Sequence, residues 1–190
     1  VIMSEQKKVE FIALGDELLL GIRQNAHLAW VGSLLAEYGL PISRGMEIRD
    51  NPQDIRVAFS QAWERSDLIT TGGLGPTSDD RTVDVLAQTL DLPLEHSAQV
   101  ESDIRGFFKQ RGYEPTENNF KQCRIIQGAE ILRNANGTAP GQILEVNGKL
   151  LVILPGPSRE LHPMFTDQVI PALVDRGWAL EQSTGVRIRT

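Results

Sequence analysis

The chain has 190 residues, 41% hydrophobic and 23% charged, with a formal net charge of -6. That length supports one domain with a substantial core. The acidic balance argues against broad binding to nucleic acid or an anionic membrane, since both need a basic face.

Cys123, the one cysteine, cannot close an internal disulfide and fits a reducing cytoplasm. No apolar run is long enough to span a bilayer. Residues 1–8 lack the basic start and apolar core of a secretory signal.

Residues 9–14, Val-Glu-Phe-Ile-Ala-Leu, predict a buried strand, followed by Gly15-Asp16-Glu17-Leu18-Leu19-Leu20-Gly21. Adjacent carboxylates at a strand's C-terminal end stand where open α/β sheets bind ligands, though an acidic surface turn would read the same way. Asn25 predicts a helix cap. Leu28, Val31, Leu35 and Tyr38 then recur at helical spacing, and Gly39 predicts the stop. His27, alone in the first turn, reads as a surface or packing residue. A second strand is predicted over 41–48. Asp50-Asn51-Pro52 announces another helix, with Asp50 a candidate cap as well as a candidate ligand, and Ile55, Phe59 and Ala62 on the apolar face.

The chain is organised around 68–80, Leu-Ile-Thr-Thr-Gly-Gly-Leu-Gly-Pro-Thr-Ser-Asp-Asp. It predicts a buried strand, a loop of small residues, and the acidic opening of a helix. Gly72, Gly73 and Gly75 let backbone N–H groups approach an anion. Asp79 and Asp80 add negative charge at the same place. A phosphate and two carboxylates coexist when a divalent metal sits between them. The alternative is a strand–helix connection whose carboxylates favour the helix dipole.

Val83, Leu86 and Leu90 then mark a helix. Ser97 is expected to cap another, with Val100, Ile104, Phe107 and Phe108 facing inward and Gly112 and Pro115 ending it. The polar stretch 117–122 lines a site or forms a short surface helix. A strand is predicted over 129–132, then a turn-rich loop over 134–141. Residues 142–146 and 149–154 flank Asn147-Gly148, a strong hairpin signal. Ser158 is a candidate cap for the last helix, which carries Leu161, Met164, Phe165, Val169, Ile170 and Leu173, with Pro171 a point of kinking or splitting. Beyond Arg176-Gly177, residues 178–190 read as a tail. In it Val186-Arg187-Ile188-Arg189 alternates like a half-buried strand. This tail either opens a downstream segment or pairs with a sheet edge or another subunit.

No Walker A loop, dinucleotide fingerprint or Gly-x-Ser-x-Gly elbow is present. His27, His96 and His162 are scattered, which argues against zinc. What remains is carboxylates and glycine loops at strand ends, which suit a hard divalent metal and a phosphorylated small molecule.

These stretches, with Thr82, Asn118-Asn119, Lys121-Gln122, Asn136-Gly137-Thr138-Ala139-Pro140-Gly141 and Leu154-Pro155-Gly156 with Glu160, occur in an order that resembles the N-terminal domain of the competence/damage-inducible protein A (CinA) family. That domain belongs to the wider molybdopterin-binding fold of MoaB and Mog proteins. Each motif alone is weak, but the series, from about Val9 to Arg176, is specific. The resemblance implies a three-layer α/β/α sandwich on a mostly parallel mixed sheet over residues 1–177. It implies hydrolysis of ADP-ribose or a similar dinucleotide to AMP and a sugar phosphate, with Mg²⁺, Mn²⁺ or Co²⁺, and a homo-oligomer. Trp30, Trp63 and Trp178 add large apolar surface to that last expectation. Asp80 matches the functional aspartate after the glycine loop, and Asp50 a second acidic position.

The expected site follows. Asp80, Asp50 and Lys121 act in catalysis, with Lys121 or Arg159 taking charge on the leaving phosphate. Gly15, Asn25, Gly72, Gly73, Gly75, Thr77, Asn119, Gly137, Thr138, Gly156, Ser158 and Arg159 bind ligand. Asp16, Glu17, Asp79 and Asp80 hold metal, with Asp50 a further candidate. Gln24-Asn25 replaces a frequent Thr-Asn, and Pro157-Ser158-Arg159 departs from the usual Val-Pro-Ser. The second, amide-hydrolysing domain of many members has no match here, so its activity is not expected. Two rival functions share this pattern: a pterin-binding enzyme of molybdenum cofactor assembly, and a nucleotide-binding module without turnover.

Overall fold

In the computed structural model, which describes residues 7–180, strands and helices alternate through most of the chain. The strands are β1 (Val9–Leu14), β2 (Ile42–Ile48), β3 (Asp67–Thr71), β4 (Leu94–His96), β5 (Arg124–Ile126), β6 (Glu130–Leu132), β7 (Gly141–Val146) and β8 (Lys149–Leu154). The helices are α1 (Asp16–Leu19), α2 (Ala26–Glu37), α3 (Pro52–Trp63), α4 (Thr82–Leu90), α5 (Ala98–Lys109), α6 (Ser158–Met164) and α7 (Ile170–Asp175). A 3-10 helix spans Glu117–Cys123, and a π-helical turn, Phe165–Val169, joins α6 to α7.

Six strands form one sheet in the order β2-β1-β3-β8-β7-β6. β1 runs parallel to β2 and β3, and β3 parallel to β8. β7 turns back antiparallel to both β8 and β6. Asn147 and Gly148 adopt φ of 53° and 77°, the paired positive values that a two-residue hairpin turn needs.

The buried strands read as near-continuous apolar runs because helices cover both faces. On one face Phe11, Ile69 and Val152 pack with Val31 and Leu35 of α2 and with Leu161, Phe165 and Leu173 of the last helical run. On the other, Ile12, Leu68 and Leu151 pack with Ile55 and Phe59 of α3 and Leu86 of α4. The result is the expected three-layer sandwich with a mostly parallel mixed sheet. A smaller cluster joins Val100 and Ile104 of α5 to Cys123 and Ile125. Among the described residues, no helix is long and apolar enough to cross a membrane.

Several local expectations are corrected. Asn51, not Asp50, caps α3, accepting from Asp54 N at 3.0 Å, which leaves the Asp50 carboxylate unused by the helix. Pro157 takes the cap position of α6, and Ser158 becomes the first helical residue. α4 starts at Thr82, so Asp79 and Asp80 precede the helix rather than open it. The last helical run widens into a π turn over Phe165–Val169 and resumes as α7, with Pro171 in the first turn of α7, where a missing N–H is tolerated. Phe107 and Phe108 stay half-buried while Val100 and Ile104 enter the core. The short helix α1 and the two-stranded sheet β4–β5 were not expected. Packing also runs past the expected boundary at 177, since Trp178 and Ala179 are buried in the first core. Residues 186–189 lie outside the described residues.

Candidate functional site

The parallel strands β1, β2, β3 and β8 all end on one side of the sheet, the edge where α/β folds bind ligands. The loops leaving them are stitched together. Gly15 N donates to Ile48 O, and Gly72 N donates to Leu154 O, each at 3.1 Å. They frame a cleft of about 660 Å³, within the usual range for small-molecule sites.

Most of the expected residues line this cleft. Gly15, Glu17 and Asn25 come from the segment after β1, and Asp50 from the end of β2. Gly72, Gly73, Gly75 and Asp80 come from the loop after β3. Gly137, Thr138, Gly156, Ser158 and Arg159 come from the loops flanking the hairpin.

Five expected residues stand outside it, each for a visible reason. Asp16 turns to Arg49, 3.4 Å away. Asp79 is exposed on the outer side of its loop. Thr77 closes that loop: its N–H and hydroxyl donate to Asp80 Oδ2 at 3.0 and 2.5 Å. Asn119 caps the 3-10 helix, accepting from Thr116 N at 2.8 Å. Lys121 buttresses the glycine loop from behind, its ammonium donating to the carbonyls of Thr77 and Asp80. Burial lowers the pKa of that ammonium, while Asp84 and Asp80 oppose the shift.

The glycines act in a way composition did not reveal. Gly72 has φ of 98°, and a Cβ there would lie 2.4 Å from Leu14 O. A Cβ on Gly73 would meet Thr82 Oγ1 at 2.1 Å. That hydroxyl is fully buried and donates to Gly72 O at 3.0 Å. The missing side chains let the loop close onto its own supports, and the backbone is thereby held at the cleft.

Asp50 is the electrostatic focus. Burial first, then the charge of Asp16, with further contributions from Glu17 and Asp80, raises its carboxyl above the ordinary aspartate range. Among the described residues, no three His, Cys, Asp or Glu side chains converge closely enough to form a ready-made metal group.

His27, Glu160 and Gln122 line the cleft without a binding role read from the sequence, beside the expected ligand residue Asn25. His27 Nε2 lies 2.5 Å from Gly156 O, a contact that requires the Nε2–H tautomer, and leaves its buried Nδ1 without a partner. Glu160 is buried and accepts from Asn134 Nδ2 at 2.8 Å. Gln122 is buried; its Nε2 donates to Leu74 O at 2.9 Å and its Oε1 has no partner. Asn25 uses Oδ1 to cap α2 but leaves Nδ2 buried and unpaired. Arg23, Phe107 and Phe108 also line the cleft. Gln122 and Glu160 stand inside the quoted motifs and were legible there; His27 looked like an isolated packing residue.

A cleft of small-molecule size, built from glycine loops and carboxylates at the strand ends of a three-layer sandwich, defines an α/β domain of the kind that carries ligand sites at its strand ends. The chain belongs to the probable molybdopterin binding domain family, whose family model matches residues 10–175, and within it to the CinA group of relatives. A competence-damage inducible protein by name, from Caldanaerobacter subterraneus, is 47% identical over 165 residues, 86% of this chain and 40% of the relative. A CinA-like protein of Dictyoglomus turgidum is 41% identical over 167 residues, 87% of this chain and 41% of the relative. The chain thus spans about two fifths of the length of these relatives.

The crystal structure of CinA from Thermoplasma acidophilum superposes with a TM-score of 0.80 at 32% identity, covering 88% of this chain and 99% of that one. The tungsten cofactor synthesizing protein MoaB from Pyrococcus furiosus gives 0.55 at 17% identity, covering 91% of this chain and 95% of that one. At that identity the likeness speaks to the fold.

Proposed function

We propose that the cleft binds a nucleotide diphosphate ester such as ADP-ribose and hydrolyses its diphosphate bond with a divalent metal, giving AMP and a sugar phosphate. The observation that carries this reading is the raised carboxyl of Asp50, facing the same cleft as Glu17, Asp80 and the backbone of Gly72, Gly73 and Gly75. Carboxylates that repel one another beside a glycine loop favour a cation between them.

The donor set fits Mg²⁺, Mn²⁺ or Co²⁺. Such ions, Mg²⁺ above all, are commonly held by one or two carboxylates and complete their shell with water and substrate phosphates, so no preformed group of three is needed. One or two of Asp50, Glu17 and Asp80 would hold the ion, and Asp16 tunes the site by its charge. When bound, the ion neutralises the diphosphate and lowers the pKa of water. The residues supply the rest. The glycine loop backbone orients the phosphates. Exposed Arg159 and Arg23 receive charge building on the leaving phosphate. Lys121 keeps the loop in place, and so acts through it.

Incubating the purified chain with ADP-ribose, with and without each metal, tests this reading. AMP formation that depends on metal is the expected result, and its absence with all three metals overturns it. A second reading is pterin binding, which the family's description favours and the unpaired amide atoms of Asn25 and Gln122 suit. Molybdopterin precursors in the same incubation separate the two.

We propose further that the chain is a homo-oligomer. Trp178 serves its own core, and Trp30 and Trp63 are half-buried against the two main cores. Leu19, Leu20 and Ile22 supply exposed apolar surface instead. A sedimentation mass of one chain at micromolar concentration would overturn this.

A further inference from the structure

Phe107 sits at the C-terminal end of α5, half-buried, and joins none of the three apolar clusters. Its neighbour Phe108 packs into the α5 cluster and meets Phe107 edge-on, with ring centroids 5.9 Å apart. The Arg111 guanidinium lies over the Phe107 ring at 3.5 Å from its centroid. Both rings line the cleft and are its only phenylalanines among the described residues. Phe107 is thus tied to the α5 cluster through Phe108 rather than buried in it, and its ring stands beside a cleft of glycines and carboxylates.

Gln122, on the 3-10 helix that shares the α5 cluster through Cys123, supplies a second observation. Gln122 is buried, with 7% of its surface exposed. Its Nε2 is committed to Leu74 O, so the unpartnered Oε1 is left as an acceptor. A buried acceptor without a donor is costly, and an amino group on the edge of a heterocycle supplies the donor.

We infer that the α5 wall of the cleft is a stacking subsite for a planar nitrogen heteroaromatic ring, with Phe107 as the platform and Gln122 Oε1 reading an exocyclic amine. This rests on the reading that the cleft takes a phosphorylated small molecule. It gives the ligand a direction: the ring lies along α5, and its phosphates lie at the glycine loop. Adenine and pterin share the required ring and amine.

The test is calorimetric binding of 5′-AMP, ribose 5-phosphate and 6-hydroxymethylpterin to the full chain and its variants. Base–aromatic stacking is worth enough that Phe107→Ala should weaken ring binding by about tenfold. Phe107→Leu keeps apolar volume without a π face and should show most of that loss, whereas Phe107→Tyr should retain affinity. Ribose 5-phosphate, which has no ring, should bind all three variants as it binds the parent. Ring dependence for AMP identifies a nucleobase and for the pterin a pterin; either supports the subsite. Unchanged AMP and pterin affinities in Phe107→Ala, an equal loss for ribose 5-phosphate, or no binding of either ring compound overturns it. Hydrolysis of ADP-ribose is read separately, so a chain that binds AMP through Phe107 and cleaves nothing removes the hydrolase reading while keeping the subsite.

Discussion

Asp50 lies half-buried at the end of β2, where burial and the charges of Asp16, Glu17 and Asp80 raise its carboxyl above the ordinary range. A raised folded-state value means that the folded chain holds a proton which the unfolded chain has already lost. Stability therefore falls as pH rises from the unfolded value through the folded one. Asp50→Asn is expected to melt higher than the parent at pH 7, with the gap closing below the ordinary aspartate range, and to lose metal-dependent hydrolysis. A variant that melts lower at pH 7 would show Asp50 to be stabilising instead. Asp80→Asn keeps an amide oxygen for the Thr77 donors and loses only charge. It should lose turnover while its unfolding free energy stays within about 1 kcal/mol of the parent, and near-normal hydrolysis at saturating metal would remove Asp80 from the mechanism. The sequence could mark these carboxylates by their place at strand ends, but not which of two neighbours faces inward. Glu17 and Asp80 line the cleft while Asp16 and Asp79 do not, and the turn of the loop backbone decides between them.

The loop after β3 is an element braced at its ends. Gly72 is bonded to β8 through its N–H and to α4 through its carbonyl, which Thr82 Oγ1 reaches. Thr82→Val leaves that buried carbonyl without this donor and should cost about 1–3 kcal/mol. Gly72→Ala adds a Cβ 2.4 Å from Leu14 O at φ of 98°, and strain at a positive φ alone costs about 1–3 kcal/mol. Denaturant midpoints of the two variants check both values, and an unchanged midpoint for Gly72→Ala would mean that the loop relaxes freely. Elements with strong patterns were legible. β1, the hairpin around Asn147-Gly148, and the capped helices α2, α3 and α5 fall where apolar spacing and turn residues put them. The strands β4 and β5 pair over three residues each, too few for alternation to register. The π turn over Phe165–Val169 changes the helical repeat for five residues only, too few for apolar periodicity to report.

At the scale of the molecule, two cores on either side of one sheet set where the domain closes. Gly177, with φ of 70°, ends α7 as its sequence suggests, so a boundary at 177 was a natural reading of the helix signal. The core does not close there. Trp178 N donates to Leu173 O at 2.8 Å, turning the chain back over the helix. The Trp178 ring then enters the cluster of Phe11, Val152 and Leu173, its Nε1 donates to Glu145 Oε1 at 3.0 Å, and Lys7 Nζ lies over its face at 3.6 Å. One side chain thus ties the chain after α7 to β7 and to the residues before β1. Trp178→Ala should destabilise the chain by about 3–5 kcal/mol, as deletion of a large core ring does, while Trp178→Phe should cost clearly less. Trp178 belongs to the core packed with α2 and α7 and does not line the cleft. The affinity of the folded variant for 5′-AMP should therefore match the parent's. A Trp178→Ala chain with an unchanged denaturant midpoint would show that α7 alone closes the fold. One that stays folded but loses AMP binding would show instead that the two ends of the sheet are coupled through it.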